Sequence, residues 1–121
     1  MRLFFILGVT FAGIGVGLGA FAAHGLRGML DSADLATFET GVRYQMYHAF
    51  ALLAVAAAST RWESATTVAA GWLFTLGIVV FSGSLYLLVL TGPRWLGAIT
   101  PIGGVAFLAG WALLAWSAIR G

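Results

Sequence analysis

The chain has 121 residues, of which 61% are hydrophobic and only 8% charged, and its mean hydropathy is +1.00. Soluble domains carry about a quarter charged residues, so this composition excludes one and reads as an integral membrane protein. The positive balance comes from six arginines scattered singly among four acids, which excludes the clustered basic surface of a nucleic-acid binder. The absence of cysteine excludes disulfides and thiolate metal sites.

The apolar core of a bilayer is about 30 Å thick and needs roughly 20 helical residues per crossing. A single domain over 1–121 therefore accommodates four crossings, expected at about 3–24, 33–59, 65–91 and 96–119. The first apolar run, Leu3 to Ala23, has no charge. Arg2, this run and Ala20-Phe21-Ala22 also fit a secretory signal with a small-residue cleavage site. The run is long for a signal and the rest of the chain is itself membrane-like, so it is read as a retained helix. Gly13 with Gly17, and Gly15 with Gly19, make two overlapping GxxxG spacings that let a neighbouring backbone approach. Packing within the chain is favoured over a dimer seam.

His24 to Thr40 is the polar loop, with Arg27, Asp31, Asp34 and Glu39. Asp31 or Ser32 can cap the second helix, and the acids that follow suit its N-terminal dipole. That helix is expected to start in the headgroup region near Ser32 and run to about Ser59. Glu39 precedes Arg43 by four residues, a favourable orientation for an ion pair.

At about 100° per residue, Thr40, Arg43, Tyr44, Gln45, Tyr47, His48 and Ala51 share one side of this helix. Leu35, Phe38, Val42, Met46, Ala49 and Leu53 form the opposite, lipid-facing stripe. The turn at Arg61-Trp62-Glu63 leads into an apolar run, Ser64 to Gly92, with Ser82, Ser84 and Tyr86 in its second half. Pro93-Arg94-Trp95 forms the next turn. The last run, Leu96 to Ile119, opens with Gly97, Thr100, Pro101, Gly103 and Gly104, where a kink or close contact is expected. Trp62, Trp95 and Trp116 read as interfacial anchors.

Antiparallel crossings bring the end of helix one, the start of helix two, the end of helix three and the start of helix four to one membrane side. His24, Arg43, Tyr44, Gln45, Tyr47, His48, Ser82, Ser84, Tyr86 and Thr100 then share a leaflet. Ionisable side chains cost about 2.5 to 3.5 kcal/mol at the centre of a membrane helix and usually face the bundle interior. The helices are therefore expected to close around this cluster, either as a binding site or as a satisfied polar core. Arg2, Arg61 and Arg120 lie on the opposite side from Arg27, Arg43 and Arg94, a tie that is broken when Arg43 is counted within the helix. With the Met1 amine counted, the positive-inside rule favours an N-in, C-in orientation.

Four stretches carry a family resemblance. They are Gly19-Ala20-Phe21-Ala22-Ala23-His24-Gly25-Leu26, Thr40-Gly41-Val42-Arg43-Tyr44-Gln45-Met46-Tyr47-His48-Ala49, Phe81-Ser82-Gly83-Ser84-Leu85-Tyr86, and Thr100-Pro101-Ile102-Gly103-Gly104 followed by Gly110-Trp111. In this order they resemble the YwdK/YgdD-like family of small bacterial inner-membrane proteins. That family commonly has Gly where this chain has Ala22, which tightens the space beside His24. The resemblance implies an all-α, four-helix membrane bundle of the inner membrane with no established activity and no catalytic residues to carry over.

The chemistry admits three readings. The favoured one is a non-enzymatic bundle that binds membrane lipids or a partner, alone, as a homo-oligomer or in a larger membrane complex. In this reading Arg43 pairs with Glu39, snorkels to a phosphate, or clamps a headgroup. The second is a small-molecule or ion permease acting as an oligomer. The third uses His24 and His48, at the ends of sequence-adjacent antiparallel helices, as ligands to a haem or metal. No cofactor is predicted, because a closed metal site needs more ligands than two imidazoles. Ser82 and Ser84 lack an activating partner in sequence, which argues against a hydrolase.

Overall fold

The structure, a computed structural model, describes residues 2–121. The Met1 amine, counted above for orientation, lies outside the described residues. Helix α1 (Arg2–Phe21) runs on into a π-helical turn, Ala22–Leu26, and the loop that follows starts with Met29 and Leu30 donating to the Leu26 carbonyl. Helix α2 (Ser32–Trp62) is capped by Asp31, whose carboxylate accepts from the Asp34 N–H at 2.8 Å. This satisfies a first-turn donor that has no acceptor within the helix.

Helix α3 (Ala65–Gly77) starts at the Ser64 cap, whose hydroxyl accepts from Thr67 N at 3.3 Å. It passes through a π-helical segment, Ile78–Ser82, into α4 (Gly83–Thr91), so 65–91 form one rod. Gly92 ends the rod at φ 98°, a left-handed conformation for which glycine is suited, and its N–H bonds to the Leu88 carbonyl. Helix α5 (Leu96–Arg120) continues through Pro101. The missing proline N–H leaves the Gly97 carbonyl without its helical donor, near the end where irregularity was expected.

The stretches 2–26, 65–91 and 96–120 are long and apolar enough to cross a membrane. Helix α2 has the length, 31 residues, or roughly 46 Å at 1.5 Å per residue, but falls short in apolarity. Its placement explains how it tolerates that polarity. It packs against α1, α3, α4 and α5, and is the central element of the bundle. Helix α1 rests mainly on α2, with Phe4 reaching Gly71 and Trp72 of α3.

Packing, and not expulsion of water, must hold such helices together in hydrocarbon, because lipid tails are as apolar as leucine. The larger core joins Phe4, Leu52, Val55, Ala70, Phe74, Ile78 and Phe107. A smaller one joins Ala22, Leu26 and Phe38, against which Tyr86 packs. Close approach depends on glycine where α5 meets the π segment. A Cβ on Gly103 would overlap the backbone nitrogen and Cβ of Phe81.

The α1–α2 seam corrects the expected lipid-facing stripe. Phe38 and Ala49 are buried, and Val42, Met46 and Leu53 face Gly19, Gly15 and Gly8 of α1. The three glycines lie seven and four residues apart, hence on one helix face, and form the trough that receives those side chains. Gly15 and Gly19 therefore act within the chain, while Gly13 and Gly17 face open space.

Candidate functional site

The polar side of α2 divides in two. Phe38, Gly41, Gln45, His48, Leu52 and Val55 are buried, a three-and-four spacing that aims one stripe at the other helices. Gln45 and His48 are 3% and 4% exposed, whereas Tyr44 and Tyr47 are 37% and 51% exposed. Arg43 is also exposed. The single cluster expected from the leaflet argument is thus an inner network and an outer face. The cause is angular: Gln45 and His48 lie on the edge of the polar arc nearest the bundle axis.

Inside, Gln45 bridges three helices. Its Nε2 donates to the Phe11 carbonyl of α1 at 2.8 Å, and its Oε1 accepts from the Tyr86 hydroxyl of α4 at 2.7 Å. Ser82, in the π segment, donates to the Gly41 carbonyl of α2 at 2.7 Å. The hydroxyls of Ser84 and Thr100 bond to each other and join α4 to α5. Gln45, Ser82, Ser84, Tyr86 and Thr100 are therefore structural cross-links between helices. Such bonds satisfy groups for which hydrocarbon offers no partner.

His48 has both ring nitrogens engaged. Nδ1 lies 2.7 Å from the Tyr44 carbonyl, which can only accept, so Nδ1 carries the proton. Nε2 accepts from the indole N–H of Trp111 at 3.0 Å. The imidazole lies flat on Phe107, with ring centroids 3.5 Å apart and planes within 8°. This neutral, doubly bonded ring has no nitrogen lone pair free for a metal.

His24 does not meet it. It is exposed in the π turn after α1, beyond Phe21, whose ring meets that of Phe38. Phe38 precedes His48 by ten residues, so the two imidazoles are separated by at least about 15 Å along the helix axis. The facing-histidine arrangement is thereby corrected: the antiparallel seam sets His24 level with the start of α2, while His48 lies in its middle. Among the described residues, no group of three or more metal-ligating side chains gathers. Arg43 and Glu39 also form no ion pair among the described residues.

The outer face borders a groove of about 560 Å³ between α2 and α5, lined by Tyr44, Tyr47, His48, Phe81, Pro101, Gly104, Val105, Phe107, Leu108 and Trp111. Its floor is a continuous aromatic sheet. Tyr44 meets Phe81 at 4.9 Å, Phe81 meets Phe107 at 5.4 Å, and Phe74 supports Trp111 at 4.8 Å. Tyr44 and Tyr47 meet edge to face at 5.6 Å. Phe81, Phe107 and Trp111 were not singled out from sequence as site residues. A visible signal existed in Gly104, Phe107, Leu108 and Trp111, which share one face of α5.

Residues 18–104 match a family model described as "Protein of unknown function (DUF423)". The chain belongs to this family. The matched DUF423 segment contains His24, the polar part of α2, Ser82, Ser84, Tyr86 and Thr100, and stops before Trp111. Among curated proteins, the chain is 48% identical over 121 residues to UPF0382 membrane protein YwdK of Bacillus subtilis (strain 168), covering 99% of this chain and 98% of the relative. It is 49% identical over 120 residues to UPF0382 membrane protein SH2409 of Staphylococcus haemolyticus, with the same coverages. With UPF0382 membrane protein SAB0533 of Staphylococcus aureus it shares 51% over 114 residues, 94% of this chain and 93% of the relative. No solved structure matches the chain. The protein is thus a helical membrane protein of a DUF423 family whose function is unknown, in agreement with the resemblance noted from its motifs.

Proposed function

We propose that this DUF423 protein is a non-enzymatic bundle of the bacterial inner membrane that holds a lipid in the groove between α2 and α5. The observation that carries this reading is the groove itself. Its volume of about 560 Å³ lies in the range of small-molecule sites, roughly 300 to 1,000 Å³, and its walls are aromatic and aliphatic. Open to the bilayer, such a slot takes hydrocarbon chains in preference to water.

The polar groups at its edge suit the headgroup end of the same molecule. Tyr44 and Tyr47 line the groove with hydroxyls that make no hydrogen bond among the described residues. Arg43 stands four residues before Tyr47 and thus on the same helix face. Its guanidinium can fork onto a phosphate. By contrast, Gln45, Ser82, Ser84 and Thr100 bond to other groups of the protein, which supports lipid binding at the side of the bundle over permeation through its centre.

The test is to identify the lipid that co-purifies with the protein and to fill the slot. A Cβ on Gly104 would approach only Phe81, at 3.9 Å, so Gly104→Leu is expected to fold while blocking the groove. Loss of bound lipid from Gly104→Leu, and weaker retention in Arg43→Gln, are the expected results. Unchanged lipid content in both variants would overturn the reading. N-in, C-in orientation is part of the proposal, and it predicts that a cysteine replacing Ser32 labels from outside the cell and one replacing Glu63 from inside.

A further inference from the structure

Trp111 stands where a membrane helix has little use for tryptophan. Trp62, Trp95 and Trp116 lie near helix ends, where interfacial indoles are favoured, but Trp111 is the sixteenth of the 25 residues of α5, three past its middle. In hydrocarbon its N–H costs free energy without an acceptor. A buried side chain supplies one: His48 Nε2, at 3.0 Å. The ring also meets Phe74 edge to face at 4.8 Å, and Phe74 is fully buried and seated against Gly110. Trp111 is nevertheless 44% exposed. The indole is thus pinned on one side while the rest of it stays open to the groove between α2 and α5.

Helices α2 and α5 run in the same direction, since Tyr44 meets Phe107, His48 meets Trp111, and Trp62 meets Gly121 at the far end. The groove therefore has a shallow end and a deep end. The shallow end is at Pro101 and Tyr44, one residue after Arg43; the deep end is at His48 and Trp111, where the lining stops on both helices. Ten residues separate Pro101 from Trp111, about 15 Å along the helix axis, which is half of the roughly 30 Å apolar thickness of a bilayer. The slot thus has the length of one hydrocarbon chain in one leaflet. One turn beyond Trp111 the same face of α5 continues with Ala115, a side chain too small to block such a chain.

We infer that Trp111 is the stop of this slot: it ends the acyl chain of the lipid bound there and so sets the chain length that the protein selects. The inference rests on the lipid reading of the groove and adds the residue that discriminates between lipids with the same headgroup. An extended chain advances roughly 1.25 Å per carbon, from a bond of about 1.52 Å at a tetrahedral angle, so the slot takes about twelve carbons below its mouth. A shorter chain leaves part of the deep wall without contacts. A longer one must turn out into the bilayer at a ring that cannot swing aside without breaking its bond to His48.

The test is a competition at constant headgroup. Full-length protein in detergent is offered an equimolar mixture of phosphatidylglycerols with lauroyl, myristoyl, palmitoyl or stearoyl chains, and the retained lipid is read by native mass spectrometry. The wild type is expected to prefer one length over its neighbours. Trp111→Ala is expected to move the preference to longer chains and to change the ratio of longest to shortest by roughly tenfold, the lower end of what a methylene is worth against a packed pocket wall. Trp111→Phe keeps a ring against Phe74 and is expected to fold as the wild type does, with a smaller shift in the same direction. Trp116→Ala removes an exposed indole outside the groove and should shift nothing. Helical circular dichroism verifies that each variant is folded. An unchanged length ratio in both Trp111 variants, or an equal shift in Trp116→Ala, would overturn the inference while leaving lipid binding in the groove intact. Lipid retention that Gly104→Leu fails to reduce would instead remove the lipid reading of the groove, and the inference with it.

Discussion

Within about one turn of α2, side chains of similar polarity meet opposite fates. Gln45 and His48 point into the bundle with their polar atoms bonded to α1, α4, α5 and their own helix. Tyr44 and Tyr47 present their hydroxyls, and Arg43 its guanidinium, to the membrane side without a partner among the described residues. The inner pair makes the bundle specific, because three of its four bonds each join α2 to a particular other helix. The outer three are free to meet a ligand. Polarity alone therefore does not mark the site; polarity without a partner does.

The sharpest way to break this contrast is to remove His48. His48→Ala deletes a ring that fills the space over Phe107 and accepts from Trp111. The cavity and the orphaned indole donor together are expected to cost about 2 to 3 kcal/mol in chemical unfolding in detergent. A variant as stable as the wild type would show that the ring is not part of the core. The effect should exceed that of Gln45→Leu, which keeps the volume but strands the Tyr86 hydroxyl and releases the Phe11 carbonyl to its helical bond alone. We expect about 1 to 2 kcal/mol there, since interhelical hydrogen bonds in membranes are each worth about 0.6 to 1.7 kcal/mol. Tyr86→Phe in the Gln45→Leu background should then cost little further, and a fully additive loss would contradict the bond between them.

Much of the bundle follows from periodicity and punctuation. Asp31 caps α2, Gly92 ends the third rod, and the antiparallel order places Ser82, Tyr86 and Thr100 near the polar part of α2 because connections this short permit little else. The division of that polar arc was not legible, because a helical wheel gives relative angles without saying where the other helices stand. Had α1 packed 100° further round α2, Arg43 would point inward and Gln45 outward. The aromatic floor of the groove was hidden for a related reason. In a chain where apolar residues predominate, Phe81, Phe107 and Trp111 carry no contrast with their neighbours, and only their convergence from two helices marks them. The π segments were also unreadable, since Ile78–Ser82 differs from an α-helix in its i→i+5 backbone bonding, and the tertiary contacts at Gly41 and Gly103 that accompany it leave no mark on the local sequence.

The glycines of α1 repeat the inward-outward contrast with no polar atoms involved, and they give the smallest and cleanest test of it. A Cβ on Gly8 would lie 2.9 Å from the Ala49 carbonyl oxygen, a backbone atom that cannot move without shifting a helix. Gly8→Ala is therefore expected to cost about 1 kcal/mol or more. Gly13 and Gly17 have nothing within 4 Å of such a Cβ, and replacing both with alanine should leave the unfolding midpoint unchanged or raise it slightly, by about 0.5 to 1 kcal/mol per site from helix propensity. Replacing glycine by alanine is thus expected to give opposite signs on two faces of one helix. If Gly13→Ala with Gly17→Ala instead destabilised the protein in a concentration-dependent way, the outward pair would be a seam between copies of the chain. The unmodified helix would then owe its glycines to two different neighbours, α2 on one face and a second bundle on the other.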